Sequence, residues 1–141
     1  ITAQRRAGRP AFYGDATQTE FLKLCGLEDA TALIVTIDNS RAVDATVQAA
    51  RTLRPDIVIV ARARDAAHAR HLYEIGVNDA VPETIEASLQ LSEAALVGLG
   101  VPMGLVIASV HERRDGFRAE LKPAGAAAAR ALPRHARSRR L

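Results

Sequence analysis

Two short stretches of the chain carry almost nothing polar. They are residues 32–37 (Ala-Leu-Ile-Val-Thr-Ile) and residues 57–61 (Ile-Val-Ile-Val-Ala). Both are rich in β-branched side chains and lack the apolar–polar alternation of a half-solvated strand, which suits strands buried on both faces of a parallel sheet. Between them Asp38-Asn39-Ser40 offers a helix start, and Val43, Val47 and Ala50 recur on one face of the helix that follows. Pro55 separates that helix from the second apolar stretch. A third helix is expected over Ala66–Ile75, with Asp65 as N-cap and Gly76 closing it. Asp79-Ala80-Val81 reads as a short strand. Residues 84–99 then read as a longer helix with Ile85, Leu89, Leu96 and Leu99 on one stripe.

The two ends are less regular. Residues 1–7 suit the last turns of a helix closed by Gly8, and residues 11–13 suit a short strand stopped at Gly14-Asp15. Thr17 with Glu20 three residues later matches a capping box, so a helix is expected from there to Cys25, ended by Gly26. Past Gly104, residues 105–110 begin a strand or a helix. Fixed structure is expected to fade after Gly116 and to be scarce from Ala124 onward. Strands alternating with helices of these lengths predict an α/β fold with a parallel sheet and right-handed crossovers.

Composition narrows the classes. A chain of 141 residues suffices for one domain with its own core. Aromatic residues are 4% and Trp is absent, which argues against a stacking platform for single-stranded nucleic acid. A single cysteine, Cys25, excludes an internal disulfide, and no Cys/His spacing fits a zinc site. The longest uncharged run, residues 94–110, is broken by Gly98, Gly100, Pro102 and Gly104. It falls short of the ~20 apolar residues of a membrane span, so these residues are expected to be soluble. Residues 1–9 carry three arginines and no apolar core, unlike a signal peptide. Residues 1–110 hold 10 Lys/Arg against 13 Asp/Glu, whereas residues 111–141 hold 9 against 3. The basic balance therefore belongs to the tail, read as a solvated end, with anionic lipid or nucleic acid as the alternative partner.

In open parallel sheets, ligands bind beyond the carboxyl ends of the strands. The residues there are Gly14 to Thr17, Asp38 to Ser40, Arg62 to Asp65, and Glu83-Thr84. Charges of both signs suit a zwitterionic or nucleotide ligand. The alternative is that Asp15, Asp38 and Asp65 only cap helices. Cys25 is expected to be buried packing, and His68 and His71, three apart on one helix, to face solvent without a third metal ligand. Gly98-Leu99-Gly100 follows a helix and so lacks the context of a phosphate loop. No G-x-G-x-x-G turn occurs in the sequence.

The strings Phe12-Tyr13-Gly14-Asp15-Ala16-Thr17, Ile37-Asp38, Ala61-Arg62-Ala63-Arg64-Asp65 with His68, and Glu83-Thr84 occur in this order. Together they resemble the regulator-of-potassium-conductance (RCK N, TrkA-N type) domain of Kef glutathione-regulated potassium-efflux systems. The similarity covers about residues 5–100 and at most reaches Arg118. The Ala-Arg-Ala-Arg-Asp string followed by His is characteristic of the Kef branch, whereas Gly-Asp-Ala is shared across the wider family. The resemblance implies a cytoplasmic, dimeric Rossmann-like domain at the bacterial inner membrane, attached to a potassium–proton antiporter and not itself an enzyme. It implies a nucleotide, AMP or NAD(H), as cofactor, and glutathione or its adducts as effectors. On matching positions it implies that Asp15, Ala16 and Thr17 lie by the adenine side and Asp38 at the next strand end. Arg62 and Arg64 would reach an anionic group, because guanidinium pairs with carboxylate or phosphate in bidentate fashion. Residues 1–104 are then a partial Rossmann-like RCK N domain whose first strands and Gly-rich turn are expected ahead of Ile1. Residues 105–123 are a C-terminal extension, and residues 124–141 a basic, disordered tail. The rival readings are a fragment of a nicotinamide-dependent oxidoreductase and a half-domain that serves assembly alone.

Overall fold

A computed structural model describes Gly8 and residues 10–123. Among these residues three strands form one parallel sheet in the order β1 (Ala32–Val35), β2 (Val58–Ala63), β3 (Asp79–Pro82). Ala32 pairs with Val58 and Val35 with Ala61, while Val60 pairs with Asp79 and Ala63 with Pro82. Helix α1 (Thr19–Leu24) precedes the sheet, and α2 (Ser40–Leu53) and α3 (Ala66–Ile75) connect its strands. Helices α4 (Glu83–Gly98) and α5 (Met103–Leu121) follow as a pair.

The helix boundaries follow from local chemistry. Asn39 Oδ1 accepts from the Ala42 amide at the start of α2, and Asp65 Oδ1 accepts from the His68 amide at the start of α3. Gly76 ends α3 with φ at 110°, a left-handed conformation that a side chain would strain. Its neighbour Val77 donates back to the Leu72 carbonyl at 3.0 Å. Val43, Val47 and Ala50 of α2, Leu72 of α3, and Ile59 and Ala61 of β2 share one dry core. Each fully buried Val, Leu or Ile side chain among them contributes roughly 1.5–3 kcal/mol.

Several sequence expectations are corrected. Residues 10–13 form no strand. Helix α1 starts at Thr19 with Gln18 as an N-cap that makes no side-chain bond. The capping box does not form, because Thr17 commits its amide (2.9 Å) and hydroxyl (2.7 Å) to Asp15 Oδ1 instead. Strand β1 stops at Val35, and it is not buried on both faces: Ile34 is 71% exposed. Along β2 burial alternates, with Ile59, Ala61 and Ala63 dry and the residues between them half-buried. The residues that read as doubly buried thus have the dry core against one face and a groove bordered by α4 along the other. Of the stripe expected on α4, Leu89 alone is buried and Leu99 is 80% exposed. Order does not fade at Gly116, since α5 runs unbroken to Leu121, which is itself buried. Cys25 is exposed, not packed. Residues 1–7 and the tail from Ala124 lie outside the described residues. No helix among the described residues is long and apolar enough to cross a membrane.

Two polar clusters hold the layers in place. Arg51, at the end of α2, donates to the carbonyls of Gly76 (2.8 Å), Pro55 (3.2 Å) and Ile57, and to Asn78 Oδ1 (2.8 Å). The same Asn78 oxygen accepts the Ile59 amide at 2.8 Å. One residue on, at the start of β3, Tyr73 donates to Asp79 Oδ1 (2.7 Å), and Arg118 of α5 pairs with Asp79 Oδ2 at 3.1 Å. Burial pushes the Tyr73 phenol up to about 12, and its bond to Asp79 acts in the same direction.

Two predictions follow from these clusters. Arg51→Met strips donors from several carbonyls at once and is expected to cost about 2–4 kcal/mol in denaturant unfolding. Tyr73→Phe should cost about 1–2 kcal/mol at pH 7. An unfolded tyrosine titrates near 10, so the stability from the neutral phenol is complete below about pH 10 and is lost as pH rises toward 12. The gap between wild type and Tyr73→Phe should therefore close over that range.

Candidate functional site at the carboxyl edge of the sheet

The period of two along β2 decides which arginine reaches the groove. Ala61 and Ala63 point into the core, so Arg62 between them points to the opposite face. There its guanidinium meets the loop after β1 and the start of α4. Nη1 pairs with Asp38 Oδ1 and lies 3.4 Å from the Thr36 carbonyl, both just past β1. Nε (3.0 Å) and Nη2 (2.7 Å) donate to Glu83 Oε2 at the start of α4. These bonds to Glu83 hold the guanidinium proton still more firmly than usual. Arg64, beyond the strand end, is 71% exposed and pairs with Asp65 at 3.1 Å.

Of the six residues expected at a site, the structure gathers Asp38 and Arg62 directly and places Arg64 two residues on. Asp15 and Thr17 bond to each other as a separate cluster beside Ala16, which packs on the core. The Thr17 hydroxyl holds the Asp15 carboxyl below its ordinary range. Gly14 is needed there for space, since a Cβ would come within 2.3 Å of the Phe21 ring. Asp65 caps α3, as the capping alternative anticipated, whereas Asn39 and not Asp38 caps α2.

Behind Arg62 a groove of about 700 Å³ runs along the open face of the sheet. Ile34, Val60 and Val81 form its apolar floor, and Glu86 of α4 with Arg114 of α5 stands at its wall. Arg114 grips both oxygens of Glu86 (2.9 and 2.8 Å), which keeps that carboxyl ionised below the usual range. The partnership of Arg62 with Glu83, and Arg114 altogether, escaped the sequence reading. Only the position of Glu83 at the last strand end signalled the first, and nothing local signals a partner 28 residues away. Chemically, the edge offers a cation for an anionic group, an exposed carboxylate at Asp38 for hydroxyls, and an apolar floor for a flat ring. Among the described residues no cluster of His, Cys, Asp and Glu suits a metal ion.

His68 corrects a further expectation. It is buried, with its ring between the Arg64 amide (3.1 Å to Nδ1) and Asp44 of α2 (2.9 Å from Nε2). His71, by contrast, is half-exposed.

The sequence pattern of the TrkA-N domain family matches residues 1–83. This chain belongs to the TrkA-N domain family. The chain is 37% identical over 110 residues to the putative potassium-efflux antiporter KefB of Alkalimonas amylolytica, covering 78% of the chain but only 17% of that relative. Among solved structures it is similar to the Kef CTD of Shewanella denitrificans in AMP-bound form. That match has a TM-score of 0.70 and 30% identity, over 80% of this chain and 72% of the other. The TrkA-N domain of the inner membrane protein ybaL from Escherichia coli matches at TM-score 0.63 and 33% identity, over 67% and 70%. The parallel sheet with flanking helices is thus the Rossmann-like architecture of TrkA-N domains, and the chain is homologous to part of Kef-type potassium-efflux antiporters.

Proposed function

We propose that this TrkA-N segment is a regulatory, ligand-sensing cytoplasmic domain of a potassium–proton antiporter, not an enzyme. The observation that carries the reading is the likeness to a Kef domain solved with AMP, joined to a carboxyl edge whose Arg62 and Asp38 offer the complementary chemistry. Arg62 and Arg64 would bind the anionic group of a nucleotide or of a glutathione-type effector, Asp38 would take hydroxyls, and Asp15 to Thr17 would line the adenine side. The ligand gates transport only by as much as its affinity differs between two arrangements of the domain.

We also infer a homodimer. Leu91, Leu99, Met103, Leu105 and Ile107 of the α4–α5 region are each about half or more exposed, and apolar side chains left in water here are available to a second copy. The oxidoreductase reading gains no support from the tyrosines: Tyr73 is committed to Asp79, and Tyr13 is 87% exposed.

Calorimetric titration with AMP, NADH and glutathione tests the ligand reading. Exposed ion pairs stabilise little, whereas a charge-assisted ligand contact carries roughly ten- to a hundredfold in affinity. Arg62→Ala should therefore weaken binding by that factor while melting within a few degrees of wild type. Equal loss of binding and stability would make Arg62 a purely structural residue, and no binding by the wild type would sink the sensing reading. Light scattering that shows a monomer at high concentration would remove the dimer.

A further inference from the structure

His68 is a buried titratable group that the ligand reading does not use. Its ring is 6% exposed, beneath the segment that leaves β2 for α3. Its two hydrogen bonds fix the neutral tautomer. The Arg64 backbone N–H donates to Nδ1 at 3.1 Å, so Nδ1 must carry a lone pair. Nε2 then holds the proton and donates to Asp44 Oδ1 at 2.9 Å. A second proton has one place to go, Nδ1, the atom that anchors the Arg64 amide. Two N–H groups cannot share one hydrogen bond.

The surrounding charges are few. From α2 comes Asp44, whose other oxygen lies 3.2 Å from His71 Nε2 on the helix of His68 itself. Glu74 stands 3.9 Å from the far side of His71. From the preceding loop come Arg64 and Asp65, the latter accepting from the His68 amide and from Arg64 Nε. Asp44 thus remains beside a charged imidazole as its counter-ion, while nothing replaces Nδ1 as the acceptor for the Arg64 amide. Ala63, fully buried and paired with Pro82, keeps the strand itself in place.

We propose that His68 is a proton-operated anchor: neutral, it pins the backbone of Arg64 at the carboxyl edge, and protonated, it releases that residue. The device needs no bound ligand and so stands apart from the sensing reading.

The test is an NMR titration of the whole chain over pH 8 to 5, following the His68 ring signals together with the Arg64 amide. The amide shift is expected to move with the midpoint of the His68 ring. Protection of that amide, corrected for intrinsic exchange, should fall roughly five- to tenfold, the worth of one hydrogen bond. In His71→Gln the coupled titration should persist, and in His68→Asn, which keeps an acceptor without a titrating ring, it should vanish. If His68→Asn does not fold, the wild-type comparison alone decides. An Arg64 amide that stays constant while His68 titrates would overturn the proposal, as would a His68 ring that gains no proton down to pH 5.

Discussion

The amino end of the sheet is organised by one guanidinium. There the chain leaves α2, turns into β2, and returns from α3 into β3, and each turn presents carbonyls to the Arg51 side chain. Leaving such groups inside the protein without donors is costly. Arg51 supplies donors to three of these carbonyls and to Asn78, and the Asn78 side chain passes the connection on to β2. The rigid, planar fork is what allows it; a lysine ammonium offers three donors around one point and could not span the same acceptors. With the two crossovers locked at this end, the register of the three strands is set for the other.

That division explains why the carboxyl edge can carry charge. Every second residue of β2 belongs to the core, and the residues between them are free to serve the groove. Arg62 falls on a groove position while still inside the strand, so the paired backbone fixes its root and three residues, Thr36, Asp38 and Glu83, meet its tip. Arg64 falls outside the strand, and its guanidinium is correspondingly open to solvent. The two arginines of one short motif therefore differ in rigidity although they are chemically identical.

Much of this was legible in the sequence because it rests on local rules. The apolar runs fixed the second and third strand regions, Asp65 and Gly76 marked both ends of α3, and the parallel arrangement followed from alternation. The errors share a physical origin in groups that lie far apart along the chain. Apolarity alone could not tell whether Ile34 had a helix over it or water. Gly116 looked like a stop, yet the grips of Arg114 on Glu86 and of Arg118 on Asp79 hold α5 on both sides of it. His68 looked like an ordinary surface histidine until α2 brought Asp44 across to it. Where a short polar side chain had two suitors, as Thr17 did, the nearer one prevailed over the helix cap.

The unequal faces of the sheet also shape how stability responds to temperature. The heat capacity gained on unfolding comes from apolar surface that meets water for the first time. Ile59, Ala61 and Ala63 contribute fully to that gain, but Ile34 and Val81 are already wetted in the folded chain. A sheet with one dry face therefore releases less heat capacity on unfolding than the same sheet covered on both. The curvature of stability against temperature scales with that heat capacity, so the free-energy curve is correspondingly broad and bends less steeply toward heat and cold.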